Sequence, residues 1–477
     1  MGKKESLFLF IKSLSKSEKR YFRIYAGMNR KEANYLRLFD AVEQQEEYDE
    51  EGIRRKLEGQ KFLSQLHVTK IYLTGLILKA LRNYHADFSV STKLLDQLKD
   101  IELLFDKALY DLCYYRISKA ESLAAKFEKL SLHAEILFWK RKLALAVSAS
   151  REDIHALLIT EKKAIEQMQV LNSYWRHTIS LGNPVNDGNF LKGLARTKEP
   201  GAYTLQSQVL HHHILYGIHV IKGETKKAEK HISALIRLLE KHPDRISEDP
   251  NAYVTAIGNK VGLFLSGKRW REIPALLSKI REVPVRYKLK SASRFTVRLW
   301  LRTFNVELEM YRDARQLEKG IVLINEIHQF IVKRRKAVPP DYILLLYYQF
   351  ANIFFLNKEY TKSLRWLNEI INTSFGDTRK DIQSYARILN LMVHFELNNI
   401  IVLRYAVDSV RRFLKKKKFE INTVKPLLNL FSKLSHAYPQ EHAEIFARSY
   451  AEMFPENTKQ SQDYIDIKGW LEEKIKI

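Results

Sequence analysis

Four basic residues spaced by four, Lys290, Arg294, Arg298 and Arg302, are the clearest candidates for binding chemistry in this sequence. On a helix, residues four apart lie one above another, so these side chains would form a basic stripe with Trp300 interleaved. Regularly spaced like charges repel one another, and an acidic ligand would relieve that repulsion. We therefore predict an anion-binding or partner-binding site at these five residues. The alternative is a solvated outer face of the helix.

The stripe belongs to the most basic part of the chain. Lys and Arg number 80 against 55 Asp and Glu, a formal net charge of +25, and residues 260–340 alone hold 19 Lys and Arg against 7 Asp and Glu. This excess suggests anionic partners, since net charge governs association rather than fold. Two further clusters, Lys333–Lys336 and Lys415–Lys418, lie near predicted helix ends. There they either favour the negative end of the helix dipole or contact phosphate.

Other chemistry-bearing residue types give no comparable pattern. His211, His212, His213 and His219 invite a metal hypothesis, but neighbouring helix positions point about 100° apart and no carboxylate or cysteine stands at ligand spacing beside them. The single cysteine, Cys113, occupies a small position in a predicted helical hairpin, which indicates a core role. No phosphate-binding glycine motif, nucleophile elbow or zinc-protease motif occurs. We predict no enzyme, no metal and no cofactor.

The composition favours an all-α protein. The 477 residues include only 17 glycines and 11 prolines, too few turn signals for many short strands, and no proline precedes Pro184. The apolar run Leu7–Ile11 is too short for a secretory signal, and no segment reaches the ~20 apolar residues of a membrane span. Met1-Gly2 with Ser6 matches the short N-myristoylation pattern. With one unpaired cysteine, we expect a soluble cytoplasmic protein that does not contact membranes.

Helical periodicity divides the chain into five parts. Residues 1–90 predict a small N-terminal helical domain, and residues 91–183 the first helical hairpins of a longer array. Residues 184–201 contain glycine and proline breaks and predict a loop. Paired amphipathic helices then continue over residues 202–460, and residues 461–477 would form a C-terminal capping helix.

The clearest repeat unit, residues 347–371, resembles a tetratricopeptide (TPR) repeat. Its first helix carries that family's large, small and aromatic positions, and its second helix begins with an aromatic residue and has a small residue at the helix crossing: Tyr347, Phe350, Ala351, Phe354, Tyr360, Ser363, Leu367 and Ile370. The second-helix pattern recurs from Thr225, Trp270, Leu317 and Tyr360, at intervals of 45, 47 and 43 residues. These intervals are longer than the 34-residue TPR unit, so the resemblance is to the superfamily, with lengthened helices.

This resemblance implies a TPR-like α-solenoid of stacked helical hairpins, because a lone hairpin cannot bury both of its apolar faces. It also implies a non-catalytic scaffold that binds a protein or acidic peptide in a basic groove, the stripe lining the concave surface. Residues 12–26, followed by residues 35–42, resemble the opening of bacterial TPR-containing proteins that have no assigned activity.

A nucleic-acid-binding protein or transcriptional regulator with a TPR-like sensor solenoid is the alternative function. Some bacterial TPR regulators carry an N-terminal helix-turn-helix. Here the two predicted helices Asp49–Leu57 and His67–Leu81 are separated by nine residues, whereas that motif uses a turn of ~3–4. This spacing weighs against DNA binding by residues 1–90.

Overall fold

The computed structural model describes residues 5–28, 33–86, 89–182, 204–289, 292–335, 337–417, 424–455 and 465–475. Over these ranges the chain forms 23 α-helices, three short 3-10 helices and no strand, which confirms the all-α prediction. The chain divides into two compact units, Met1–Ile218 and His219–Ile477. None of the helices in these ranges is long and apolar enough to cross a bilayer.

In the first unit the described residues form nine helices, and a tenth begins there. They are α1 Ser6–Ser13, α2 Lys16–Gly27, α3 Ala33–Gln44, α4 Glu50–Lys56, α5 Leu66–Tyr84, α6 Val90–Asp106, α7 Tyr110–Lys126, α8 Leu130–Ala146, α9 Arg151–Gly182 and α10 Leu205–Ile221. A 3-10 helix, Lys61–Gln65, occupies most of the interval between α4 and α5. The predicted loop 184–201 lies outside the described residues.

Helices α1 to α5 share an apolar core of their own, in which the rings of Phe22 and Phe39 lie 4.6 Å apart. The start of α2 is fixed by a capping box: the Glu18 amide donates to Ser15 Oγ, and the Ser15 amide donates to the Glu18 carboxylate at 2.6 Å. This pair satisfies two backbone donors that the first helical turn leaves free, as its Ser-x-x-Glu spacing predicts.

The second unit continues in hairpins. Its helices are α11 Thr225–Glu240, α12 Pro243–Glu248, α13 Asn251–Ser266, α14 Ile273–Arg286, α15 Ala292–Asp313, α16 Leu317–Lys333, α17 Pro340–Leu356, α18 Tyr360–Asn372, α19 Lys380–Glu396, α20 Ile400–Lys417, α21 Val424–Leu434, α22 His442–Met453 and α23 Ile467–Ile475. Helices α11, α16 and α18 begin at the predicted residues Thr225, Leu317 and Tyr360.

The same turn closes the first helix of most hairpins. One residue adopts a left-handed conformation, and the next amide donates to the carbonyl five residues before it, as from Glu359 to Phe354 at 2.9 Å. This is the Schellman pattern of a helix C-terminus. In the second unit the left-handed residue recurs at intervals of 45, 47, 43 and 40 residues, at Gly223, Lys268, Arg315, Lys358 and Asn398.

Small residues at the helix crossings let paired helices approach closely. The buried Ser363 hydroxyl donates to the Ala351 carbonyl at 2.8 Å, and the buried Cys113 thiol makes the corresponding contact with the Ile101 carbonyl at 3.6 Å. Burial raises the pKa of the Cys113 thiol. Cys113 therefore has the core role that its position predicts. In the second unit, α17 packs against both α15 and α19 as well as its hairpin partner α18.

Candidate protein-binding surface on helix α15

Helix α15 carries most of the predicted site residues. Lys290 precedes the helix and lies outside the described residues, and Arg294 is in the first helical turn with its side chain likewise outside them. Arg298 and Arg302 are exposed, whereas Trp300 is half-buried. The geometry of the predicted stripe can therefore be followed through Arg298, Arg302 and Trp300.

Arg302 lies against the backbone of helix α13. Its Nη2 atom is 2.8 Å from the point that a Cβ atom at Gly258 would occupy, so the absence of a side chain at Gly258 makes room for the guanidinium. Among the described residues, no carboxylate forms an ion pair with Arg298 or Arg302. Both cations consequently remain available to an external anion.

Polar residues continue the same face of α15 toward its C-terminus. Arg312 donates to the Gln349 side chain at 3.2 Å, and Gln349 donates to Asn305 at 3.4 Å, which joins α15 to α17. Glu309 is an acidic residue of the same stretch of α15, and burial raises the pKa of its carboxyl group. The face of α15 that contains Arg298, Arg302, Asn305 and Arg312, called here the basic face, is therefore polar along its described length.

Trp300 lies on the opposite side of α15. At about 100° per residue it is turned roughly 160° round the helix axis from both Arg298 and Arg302. Its ring packs against Phe304 and Phe330, with centroids 5.3 and 6.2 Å away. The structure thus places Arg298 and Arg302 together and does not bring Trp300 to them.

A cleft of about 640 Å³ lies on this Trp300 side, between α15 and α16. The Arg334 guanidinium lies 4.4 Å from the centre of the Phe330 ring, and the buried Thr296 Oγ1 has no hydrogen-bond partner among the described residues. The cleft, which is largely apolar, is lined by Thr296, Val297, Trp300, Phe304, Glu326, Phe330, Arg334 and Ala337. In the sequence, this cleft is indicated only by two pairs of residues spaced by four, Trp300–Phe304 and Phe330–Arg334.

Arg281 of helix α14 supports the aromatic side of α15. It donates to Glu307 at 2.6 Å and to Thr303 at 3.0 Å, and its guanidinium lies 4.8 Å from the centre of the Trp300 ring. This arginine is committed to internal partners, in contrast to Arg298 and Arg302. The basic residues of this region therefore fall into two groups: Arg281 binds partners inside the fold, whereas Arg298 and Arg302 are exposed with no carboxylate partner among the described residues.

The remaining candidate residues have packing partners. His211 is buried, with its Nδ1 atom 3.4 Å from the Tyr174 hydroxyl, while His219 contacts Glu224 at 2.5 Å and stacks on His231. No group of three or more His, Cys, Asp or Glu side chains in the described part of the chain could hold a metal ion.

The lysine cluster at the end of α20 is partly engaged in the fold. Lys417 donates to the Asp377 carboxylate at 2.6 Å and to the Gly376 carbonyl at 3.0 Å, and so ties the end of α20 to the loop after α18. Lys415 and Lys416 are exposed. Part of this cluster therefore stabilises the hairpin and part of it remains a surface charge.

The described part of the chain is thus all-α and built of paired helices. On α15, the first helix of one hairpin, Arg298 and Arg302 are exposed and have no carboxylate partner among the described residues. No family model, curated protein or solved structure was found to match the chain. The TPR-like interpretation therefore remains a proposal based on the residues themselves.

Proposed function

We propose that this chain is a non-catalytic, TPR-like helical-repeat scaffold that binds an acidic segment of a protein partner along the basic face of α15. The observation that carries the proposal is the exposure of Arg298 and Arg302 on one face without a carboxylate partner among the described residues. Surface arginines that are not used internally, on a helix with a four-residue charge spacing, favour an external anion.

The recurring hairpin supports the scaffold class. Left-handed turns at intervals of 40 to 47 residues end the first helix of successive hairpins in the second unit. The first helices α15, α17 and α19 also pack side by side. In TPR-type solenoids the first helices line the concave surface, so this arrangement favours a partner groove on the side of the basic face.

The energies involved predict a salt-sensitive interaction. An exposed ion pair contributes about 0.2–1 kcal/mol, and added salt screens it with a Debye length of about 10 Å at 0.1 M. Reversing both arginines replaces two attractions by two repulsions of ~0.5 kcal/mol each. The expected loss is about 2 kcal/mol, or roughly thirtyfold in affinity.

The test compares the wild-type chain with Arg298→Glu/Arg302→Glu in a quantitative proteome pull-down at low and high salt. The matched control is Arg412→Glu/Lys416→Glu, which reverses two exposed cations at the same spacing on α20. Acidic partners should be lost from the first variant and kept by the control. Equal capture by all three proteins would refute the proposed site.

Nucleic-acid binding predicts a different result in the same preparations. Neutralised phosphates release counterions, so retained nucleic acid would raise the ratio of absorbance at 260 nm to that at 280 nm and disappear steeply with salt. Nucleic acid that both double variants fail to retain would favour this alternative, because the diffuse charge and not the basic face would then be responsible.

A further inference from the structure

The C-terminal helix α23 contacts the turns that end the first helices of earlier hairpins. Asp466, just before the helix, pairs with Arg315 at 3.0 Å, and Glu473 pairs with Lys358 at 2.5 Å. Arg315 and Lys358 are the left-handed residues that follow α15 and α17. Lys474 pairs with Glu396, the last residue of α19, at 2.8 Å. One short helix therefore contacts the corresponding ends of three first helices.

Apolar residues on one side of α23 hold it in place. Ile467, Trp470 and Leu471 have the helical spacing of a single stripe and are buried in the main core of the unit. The Trp470 ring lies 5.5 to 6.1 Å from the rings of Phe395, Phe431 and Phe446. Its indole N–H donates to the Glu396 carboxylate at 2.6 Å. This is the arrangement of an amphipathic helix bound in a groove.

The charges on the two sides are complementary. Acidic residues of the C-terminal segment meet basic residues at the turns, and the Lys358 ammonium lowers the pKa of Glu473. Both ion pairs are open to solvent, with 46% to 66% of each side chain exposed. Such pairs contribute little affinity and mainly select orientation, so the apolar stripe provides most of the attachment.

The fit between α23 and the hairpins leaves space. A cavity of about 120 Å³ lies between them, lined on the hairpin side by Asn352, Phe355 and Tyr360 and on the helix side by Gly469 and Trp470. The chain's own helix therefore leaves part of the space beside these hairpins unfilled.

We propose that the edge formed by Arg315, Phe355, Lys358 and Glu396, called here the turn edge, is a docking surface for a short acidic amphipathic helix of a partner protein. In the free chain α23 occupies this surface. A partner helix with apolar residues spaced like Ile467, Trp470 and Leu471, and with flanking carboxylates, would displace it. The turn edge shares no residue with the basic face. The proposed turn-edge site and the proposed basic-face site can therefore fail independently of each other.

The test uses a fluorescein-labelled peptide of residues 465–475 as the probe. Full-length Trp470→Ala/Leu471→Ala should bind it at least tenfold more tightly than the wild-type chain, whose own helix competes at high local concentration. A second variant, Asp466→Lys/Glu473→Lys, keeps the apolar stripe and should show a smaller gain. Circular dichroism confirms that each variant is folded, so a folding failure of one leaves the other informative.

A charge exchange then locates the bound peptide. Lys358→Glu, added to the double alanine variant, should weaken binding at least threefold, and a peptide carrying Glu473→Lys should restore it. The control is Lys362→Glu, since Lys362 of α18 pairs with Glu359, the residue just before that helix. Equal peptide binding by wild type and variants, no binding by a folded variant, or an equal effect of Lys362→Glu would overturn the proposal. If the wild-type chain forms a dimer and the double alanine variant does not, the helix that docks on the turn edge comes from a second copy of this chain and not from a partner protein.

Discussion

Replacing Gly258 by alanine tests whether Arg302 is free to move. The new methyl group would lie 2.8 Å from the Arg302 Nη2 atom, so the guanidinium must shift. An arginine without an ion-pair partner can do so at little cost. Alanine meanwhile favours a helix interior over glycine by about 0.5–1 kcal/mol. We therefore expect Gly258→Ala to stabilise the protein by nearly that amount, a rise of about 1–4 °C in Tm.

Alanine substitutions at two other glycines serve as references for the stability change at Gly258. At Gly262, on the same helix α13, no atom of the described residues beyond its chain neighbours and the helix's own backbone lies within 4 Å of an added Cβ. Gly262→Ala should therefore show the full helix-propensity gain. At Gly320 the methyl would meet the Ile353 side chain at 3.1 Å in a packed core, so Gly320→Ala should gain less or lose stability. Urea unfolding followed by circular dichroism gives the three free energies of unfolding.

The decisive comparison adds Arg302→Ala to each variant of α13. If Arg302 is free, Gly258→Ala and Gly262→Ala have the same effect with and without it, and the coupling energy is near zero. A Gly258→Ala variant that is at least ~1 kcal/mol less stable than wild type, with normal stability restored by Arg302→Ala, would refute the reasoning. Arg302 would then be fixed by the fold and unavailable to a partner.

Three further predictions concern internal contacts. Arg281→Met leaves the partly buried Glu307 without its cation and should cost about 1–3 kcal/mol of unfolding free energy in urea. Cys113 should react with a thiol reagent only as fast as the protein unfolds, so rapid labelling of the native chain would contradict its buried position. Hydrogen bonds from Lys70 and Tyr48 lower the pKa of Glu50 to about 2, from 4.5 in the unfolded chain, so the resulting stability is complete above about pH 4.5 and is lost as the pH falls toward 2. Lys70→Met should therefore cost about 1 kcal/mol at pH 6, after allowance for solvent screening, and nearly nothing at pH 2 in the same urea assay.

Sequence reasoning predicts the local elements of this fold well, because their causes are local. The Ser15–Glu18 capping box, the helix starts at Leu317 and Tyr360 and the small crossing residue Cys113 all follow from spacing along the chain. Each is specified within one or two turns of helix, where side-chain and backbone geometry leave few alternatives.

The candidate surfaces are harder to predict, because contacts between distant residues determine them. Interleaving in sequence suggested that Trp300 accompanies the arginines, yet packing against Phe330 and Arg281 holds it on the other side of α15. The place of Arg302 depends on Gly258, 44 residues earlier, and that of Asp466 on Arg315, 151 residues earlier. No periodicity within one helix contains this information.

The left-handed turns couple backbone conformation to surface charge. A residue other than glycine in this conformation costs about 1 kcal/mol, yet Lys268, Lys288, Arg315 and Lys358 all adopt it. Each places a cation at a helix C-terminus, where the helix dipole offsets part of that cost. Substituting glycine would relieve the backbone and remove the charge together. At Arg315 and Lys358, the residue that adopts the unfavourable backbone conformation is also the cation that pairs with the acidic C-terminal segment. Neither property can be removed by a glycine substitution without the other.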